Sequence, residues 1–243
     1  MVRVAVAGGT GGVGYAIVDA LKAQTEHEFI VLSRTLNLVR GAAGSQSVKR
    51  FVPSEYGSAY EEKHALARPS TGLKAVAVKE LAKTHLEYTS FVNGLFLDYL
   101  CMPAVPSHLA AGIRFFDIPA EPRDVGRFVV ASLSLPKWEN RSFIVGDRQS
   151  WHDVINIAGK ITGEKWTITD EPSKILSGQV IEAPAHRAAY SASLKEHGDW
   201  FESGTFSFDP KAPDSVYLNE LFPEIIPLTV EDGLKTLISA SSS

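Results

Sequence analysis

The chain predicts an α/β fold: a doubly wound parallel sheet followed by a smaller lobe. Three observations carry this. Short apolar runs alternate with stretches of helical periodicity through the first 135 residues. The N-terminus joins an apolar run, Val2-Arg-Val-Ala-Val-Ala7, through the glycine turn Gly8-Gly-Thr-Gly-Gly-Val-Gly14, to a helical pattern over Tyr15–Lys22. The same alternation continues in shorter pieces from residue 136 to residue 168. The division read from this is a larger domain over 1–135, with sheet residues contributed from later in the chain, and a smaller lobe over 136–243.

Val2–Ala7 reads as a buried parallel strand and Tyr15–Lys22 as the helix after the turn. Glu28-Phe-Ile-Val-Leu-Ser33 reads as the second strand, and Thr35–Ala43 as a helix. Val48–Pro53 is a short strand ending in the polar loop Ser54–Gly57. Thr71–Lys83 is a helix with Thr71 as its N-cap, and Leu86–Val92 a strand closed by Asn93-Gly94. Arg123–Leu133 is an amphipathic helix, Ser142–Val145 a strand, and Ser150–Thr162 a helix capped by Ser150 and stopped by Gly163. Trp166–Ile168 is a further short strand, 172–217 is loop-rich, and Ser239–Ser243 is a frayed tail.

A strand, a glycine turn and a helix form the setting of a dinucleotide fingerprint. Gly9, Gly11 and Gly14 fit G-x-G-x-x-G, and Gly8, Gly11 and Gly14 fit the overlapping G-x-x-G-x-x-G; Thr10, Gly12 and Val13 fill the turn. Glycine permits the unusual backbone angles and the close approach of a pyrophosphate, which the helix N-terminus then faces. Ser33 and Arg34 stand at the end of the second strand, Arg34 being 20 residues after Gly14. An acid there would take the ribose 2′-hydroxyl of NAD; a guanidinium suits a 2′-phosphate, so NADP(H) is the expected cofactor. Ligands of such sheets bind beyond the carboxyl ends of the strands, which groups the Gly8–Gly14 turn, Arg34, Pro53–Gly57 and Asn93-Gly94 around one crevice.

Composition narrows the function further. The 243 residues are 44% apolar and 21% charged, with a net charge of −4, which gives no bulk field for nucleic acid or an anionic membrane. No apolar run approaches the ~20 residues of a membrane helix, and the N-terminus reads as a strand rather than a signal peptide. Cys101 is the single cysteine, so a reducing cytoplasm is expected. The seven histidines include no i,i+4 pair and there is no C-x-x-C, so no metal site is expected.

Ala7–Gly14, Ser33-Arg34, Lys49-Arg-Phe-Val-Pro-Ser-Glu-Tyr-Gly57, Lys74, Tyr88-Thr89, Asn93-Gly-Leu-Phe96, Arg123–Val130, Leu218–Pro223 and Pro227–Val230 together resemble the NmrA-like and isoflavone-reductase-like branch of the atypical short-chain dehydrogenases. The resemblance covers most of the chain, and the Arg-Phe-Val-Pro-Ser-Glu segment is specific to that group. It implies a Rossmann-type nucleotide-binding domain over 1–135, a substrate-binding lobe over 136–243, and hydride transfer from NADPH to a small unsaturated or carbonyl-bearing molecule. It implies that Lys74, ahead of a Tyr-Thr strand, is catalytic, replacing the absent Tyr-x-x-x-Lys signature. Pro53, Ser54, Glu55, Tyr56 and Asn93 would line the cofactor or substrate side of the crevice. Lys79 shares the helix with Lys74 and reads as solvated. Phe96, Tyr99, Met102, Trp151 and Trp200 are either core or an apolar substrate pocket. Two other functions stay open: a catalytically silent NAD(P) sensor with a regulatory protein partner, or an inactive shortened product.

The chain departs from the resemblance after Arg34. In the family a helix and two strands separate the Ser-Arg strand end from the next helix; here Thr35 follows at once. The third and fourth strands of the nucleotide-binding half are therefore missing, and a smaller gap falls near Ala120-Glu-Pro122. The first strand must find another neighbour or leave its N–H and C=O groups unpaired. The expected rescue is that 48–53 moves against 2–7, giving the order 2-1-5-6.

Overall fold

In a computed structural model the described residues are 2–8, 12–24, 27–32, 38–57, 69–94, 96–97, 122–165 and 213–241. Strand β1 (Arg3–Ala7) runs parallel to β2 (Glu28–Leu32), Arg3 opposite Glu28 and Ala7 opposite Leu32. Helix α1 (Gly12–Ala23) joins them and buries Val13, Ala16, Ile17, Val18 and Leu21. This is one stripe at helical spacing. Helix α2 (Leu38–Gly44) follows and leans on α3 (Pro69–Leu81). Between them β3 (Arg50–Phe51) runs parallel to β4 (Glu87–Tyr88), and β5 (Ser90–Val92) continues the same chain direction. An isolated parallel bridge, Gly57 to Val92, extends the first of these pairings to β5.

After β5 come α4 (Pro122–Ser132), β6 (Arg141–Phe143), α5 (Trp151–Thr162), β7 (Ser215–Tyr217), α6 (Leu218–Leu221) and α7 (Val230–Ser241). Strands β5, β6 and β7 form a parallel sheet in that order. The Asn219 side chain continues the pairing past the ends of β6 and β7: Oδ1 accepts from Val145 N and Nδ2 donates to Val145 O, both at 2.9 Å. The architecture is that of a Rossmann-type fold, with every ladder parallel.

The expected pairing of 2–7 with 48–53 does not form. Among the described residues β1 pairs β2 alone, and β3 pairs β4. Among the described residues the sheet is thus divided between β1 and β3. A two-residue β3 that already pairs β4 is too short a ladder to draw β1 across that space. β1 is consequently not the fully buried strand its composition suggested. Val4 and Val6 turn to the core, while Arg3, Ala5 and Ala7 are exposed, and Ile30 on β2 is 61% exposed.

One apolar cluster still spans the division. Val6, Val13, Ile17, Val18 and Leu21 meet Phe91, Phe96, Val125, Phe128 and Ile144, with Val52 and Tyr56 packed against them. Helices α1 and α4 pack backbone to backbone, because a Cβ on Gly126 would lie 2.5 Å from the Ala16 carbonyl oxygen. A second layer pairs α5 with α7 through Val154, Val230 and Leu234.

Other boundaries differ in detail. Pro69 starts α3 two residues before Thr71, so Thr71 lies in the helix rather than at its N-cap. That is a first-turn position, where proline's missing N–H costs nothing. The strand read over 86–92 is broken at Thr89, whose buried hydroxyl bonds Ser142 Oγ at 2.8 Å. Ser150 caps α5 as expected, in a capping box with Asp153, and Gly163 ends it in the left-handed conformation at φ 73°. The strand read at 166–168 lies outside the described residues.

Candidate functional site

The glycine turn is described at its two flanks. Gly8 has φ +73° and Gly12 φ +53°, and a Cβ added at either meets no atom of the described residues within 4 Å. These are positions where glycine is needed for the backbone angle and where the space beside the backbone is open. Val13 is buried and anchors the turn in the core; Gly14 sits half-buried in the first turn of α1. No acidic side chain occupies that first turn, so nothing there opposes an anion at the helix N-terminus. Gly9, Thr10, Gly11, Ser33 and Arg34 lie outside the described residues.

On the other side of the division the structure gathers Pro53, Glu55, Tyr56, Lys74 and Asn93. The turn 53–57 follows β3, and its Gly57 carbonyl accepts from both Asn93 N (3.1 Å) and Gly94 N (2.9 Å) at the end of β5. The two strand ends are therefore tied at their carboxyl termini. Glu55 N donates to Pro53 O at 2.8 Å, and Tyr56 takes φ 22°, a rare angle for a bulky side chain. Pro53 and Glu55 are buried, while Ser54 points to solvent. The Tyr56 ring stacks on Phe91, centroids 6.1 Å apart and 3° from parallel. Burial pushes the Tyr56 phenol well above its ordinary range, so it stays neutral and is no proton acceptor near neutrality.

Lys74 reaches this turn from α3: Nζ donates to the Glu55 main-chain carbonyl. Burial pulls the Lys74 ammonium below the ordinary lysine range, and the Glu55 charge pulls it part of the way back. A lysine desolvated in this way loses its proton more readily than a solvated one. Asn93 is fully buried; its Nδ2 makes one long bond to Gly94 O at 3.4 Å, and its Oδ1 has no hydrogen-bond partner among the described residues. A buried acceptor without a donor is costly and fits a site that receives a donor from outside.

Phe96 is buried in the main cluster, which settles it as core; Tyr99, Met102 and Trp200, and the side chain of Trp151, lie outside the described residues. Among the described residues no group of three His, Cys, Asp or Glu side chains is placed to hold a metal, and no helix is long and apolar enough to cross a membrane. Sequence reasoning missed Gly126, which seats α1 and hence the glycine turn. Its signal was available: a glycine inside an otherwise strong amphipathic helix costs about 1 kcal/mol against alanine and usually has a packing reason.

No model of a known protein family matches the chain. Individual proteins do. Oxidoreductase BOA1 of Botryotinia fuckeliana is 69% identical over 294 aligned positions, covering 93% of this chain and 96% of that protein. Those 294 positions exceed the 243 residues of this chain by 51, so at least 51 residues of that relative have no counterpart here. Oxidoreductase swnN of Metarhizium robertsii is 26% identical, covering 97% of each chain. Among solved structures, AtPrR2 with NADP+ and (+)pinoresinol matches with a TM-score of 0.73 at 15% identity, over 97% of this chain and 98% of that one. The leucoanthocyanidin reductase–NADPH complex from Vitis vinifera matches with a TM-score of 0.65 at 17% identity, over 98% and 99%. The two structural likenesses show the fold.

Proposed function

Because the chain belongs to the NmrA-like and isoflavone-reductase-like family of NAD(P)-binding reductases, we propose that it is an NADPH-dependent reductase of a small unsaturated or carbonyl-bearing molecule. The observation that carries this is the Lys74 ammonium, half-buried and bonded to the Glu55 carbonyl at the carboxyl ends of parallel strands. The glycine turn fits a dinucleotide: open left-handed positions at Gly8 and Gly12 lead into a helix N-terminus free of acids. In this reading Gly8–Gly14 hold the diphosphate, and Ser33 and Arg34 the 2′-phosphate that distinguishes NADP(H) from NAD(H). The bound cofactor supplies the hydride. Pro53, Ser54, Glu55, Tyr56 and Asn93 line the crevice, with the buried Asn93 Oδ1 accepting a ligand hydroxyl or amide. Lys74 orients the ribose and donates the proton that accompanies reduction. A reducing cytoplasmic setting is part of the proposal, supported by a single cysteine in the chain.

The test is NADPH oxidation against a panel of enones, aldehydes and ketones. We expect turnover with at least one class, and a fall of about 10²–10⁴-fold on Lys74→Ala with NADPH binding retained. Turnover that survives Lys74→Ala rejects the assignment.

The divided sheet favours a second reading. A first strand with one neighbour among the described residues, in a chain without counterparts to at least 51 residues of its relative, supports a protein that binds cofactor without turning it over. NADPH binding with no oxidation on any substrate, together with capture of a regulatory partner, would favour that sensor.

A further inference from the structure

We propose that the Asn93 side chain is the acceptor for the carboxamide N–H of the nicotinamide. The inference rests on the reading of the chain as an NADP(H)-binding protein, and says which part of that cofactor meets the end of β5. Asn93 has no solvent exposure, yet its amide is poorly answered. The Gly94 carbonyl can only accept, so it fixes the sense of the amide: Nδ2 faces it across 3.4 Å, and Oδ1 is the other atom. Oδ1 meets no donor. The backbone holds this arrangement in place. Asn93 N and Gly94 N both donate to Gly57 O, and Gly94 turns away at φ +70°. An unmet acceptor is thus pinned at the carboxyl end of a parallel strand, where ligands of such sheets bind. Packing alone gives no reason for an amide there, since a leucine of similar size would carry no acceptor to satisfy.

The turn that holds Asn93 also narrows the ligand group. Gly57 grips the end of β5, and two residues earlier the Glu55 carbonyl accepts from the Lys74 ammonium. The acceptor therefore belongs to the end of the crevice where the reduction is proposed. Oδ1 needs an N–H or O–H. The carbonyl oxygen or unsaturated carbon being reduced offers neither. The nicotinamide does, and its carboxamide is attached to the ring carbon beside the one that carries the hydride. A substrate hydroxyl is the other donor that could meet Oδ1, and the two are separable by experiment.

The experiment measures the binding of two dinucleotides to the full-length chain by calorimetry: NADP+ and its 3-acetylpyridine analogue, in which a methyl group replaces the carboxamide nitrogen. The parent should bind NADP+ about tenfold more tightly, the worth of one hydrogen bond to a buried acceptor. Asn93→Leu should bring the two affinities together. Asn93→Ala reads the same ratio if leucine does not fit the site. A preference that persists in the variants overturns the proposal. Failure of both variants to fold does so too, because the amide would then be structural. Two outcomes in the parent separate this inference from the reading it rests on. Equal, measurable affinities overturn the carboxamide contact, leave the cofactor reading standing and give Oδ1 to a substrate hydroxyl. No binding of either dinucleotide overturns both.

Discussion

Gly126 and Asp124 sit two residues apart on α4 and hold opposite ends of the architecture. Gly126 lets α4 touch the Ala16 backbone, and a methyl group there would overlap a carbonyl that cannot move without shifting α1. We expect Gly126→Ala to cost about 1–3 kcal/mol, by overpacking, read as a lower denaturation midpoint. NADPH affinity should fall with it, since α1 carries the glycine turn. Asp124 is buried and accepts from Leu228 N at 2.9 Å and from Arg127 at 3.3 Å, tying α4 to the segment before α7. Burial raises its carboxyl above the ordinary range, against the pull of Leu228 and Arg127. The folded state therefore keeps this proton to higher pH than the unfolded chain. The associated stability is complete below the ordinary aspartate value of about 4 and is lost as pH rises through the folded value. Asp124→Asn keeps an acceptor for Leu228 N and removes the titration, so its stability should stay flat across that mildly acidic window where the parent declines. A parallel decline in both proteins would reject the assignment.

Elements whose ends are set by neighbouring residues were the legible ones. Helix α5 is the clearest case: Ser150 and Asp153 form a reciprocal cap and Gly163 supplies the left-handed exit, all within one stretch of chain. Ser150→Ala should cost about 1 kcal/mol, seen as a lower melting temperature with an unchanged fold by circular dichroism. Glu55 and Asn93 were legible as members of one crevice because parallel strands deliver their carboxyl ends to one side; Lys74, on a helix, was legible only through the family resemblance. Their actual linkage was not legible. The bond from Lys74 to the Glu55 carbonyl and the double grip on Gly57 depend on turn geometry that spacing does not encode. β1 was misread for a related reason. Its composition states that it tolerates burial, but whether it is covered depends on strands elsewhere, and among the described residues β2 alone pairs with it.

At the scale of the whole molecule, the divided sheet leaves cohesion to the apolar cluster beneath it and to the contact between α1 and α4. Ligand that binds only the folded state raises the melting temperature by mass action. NADPH should stabilise the chain more than NADH, and an equal response to both would remove the 2′-phosphate role of Arg34. The α1–α4 contact has a consequence for the order of events during synthesis. The fingerprint turn leaves the ribosome first, yet the helix that presents it is seated by residues 125–129, which emerge only after half the chain has been made. A 12-residue helix has little stability alone. A nascent chain stalled at residue 60 should thus ignore NADPH, and one stalled with α4 fully outside the tunnel should be the first in which the opening glycines are held in place for it.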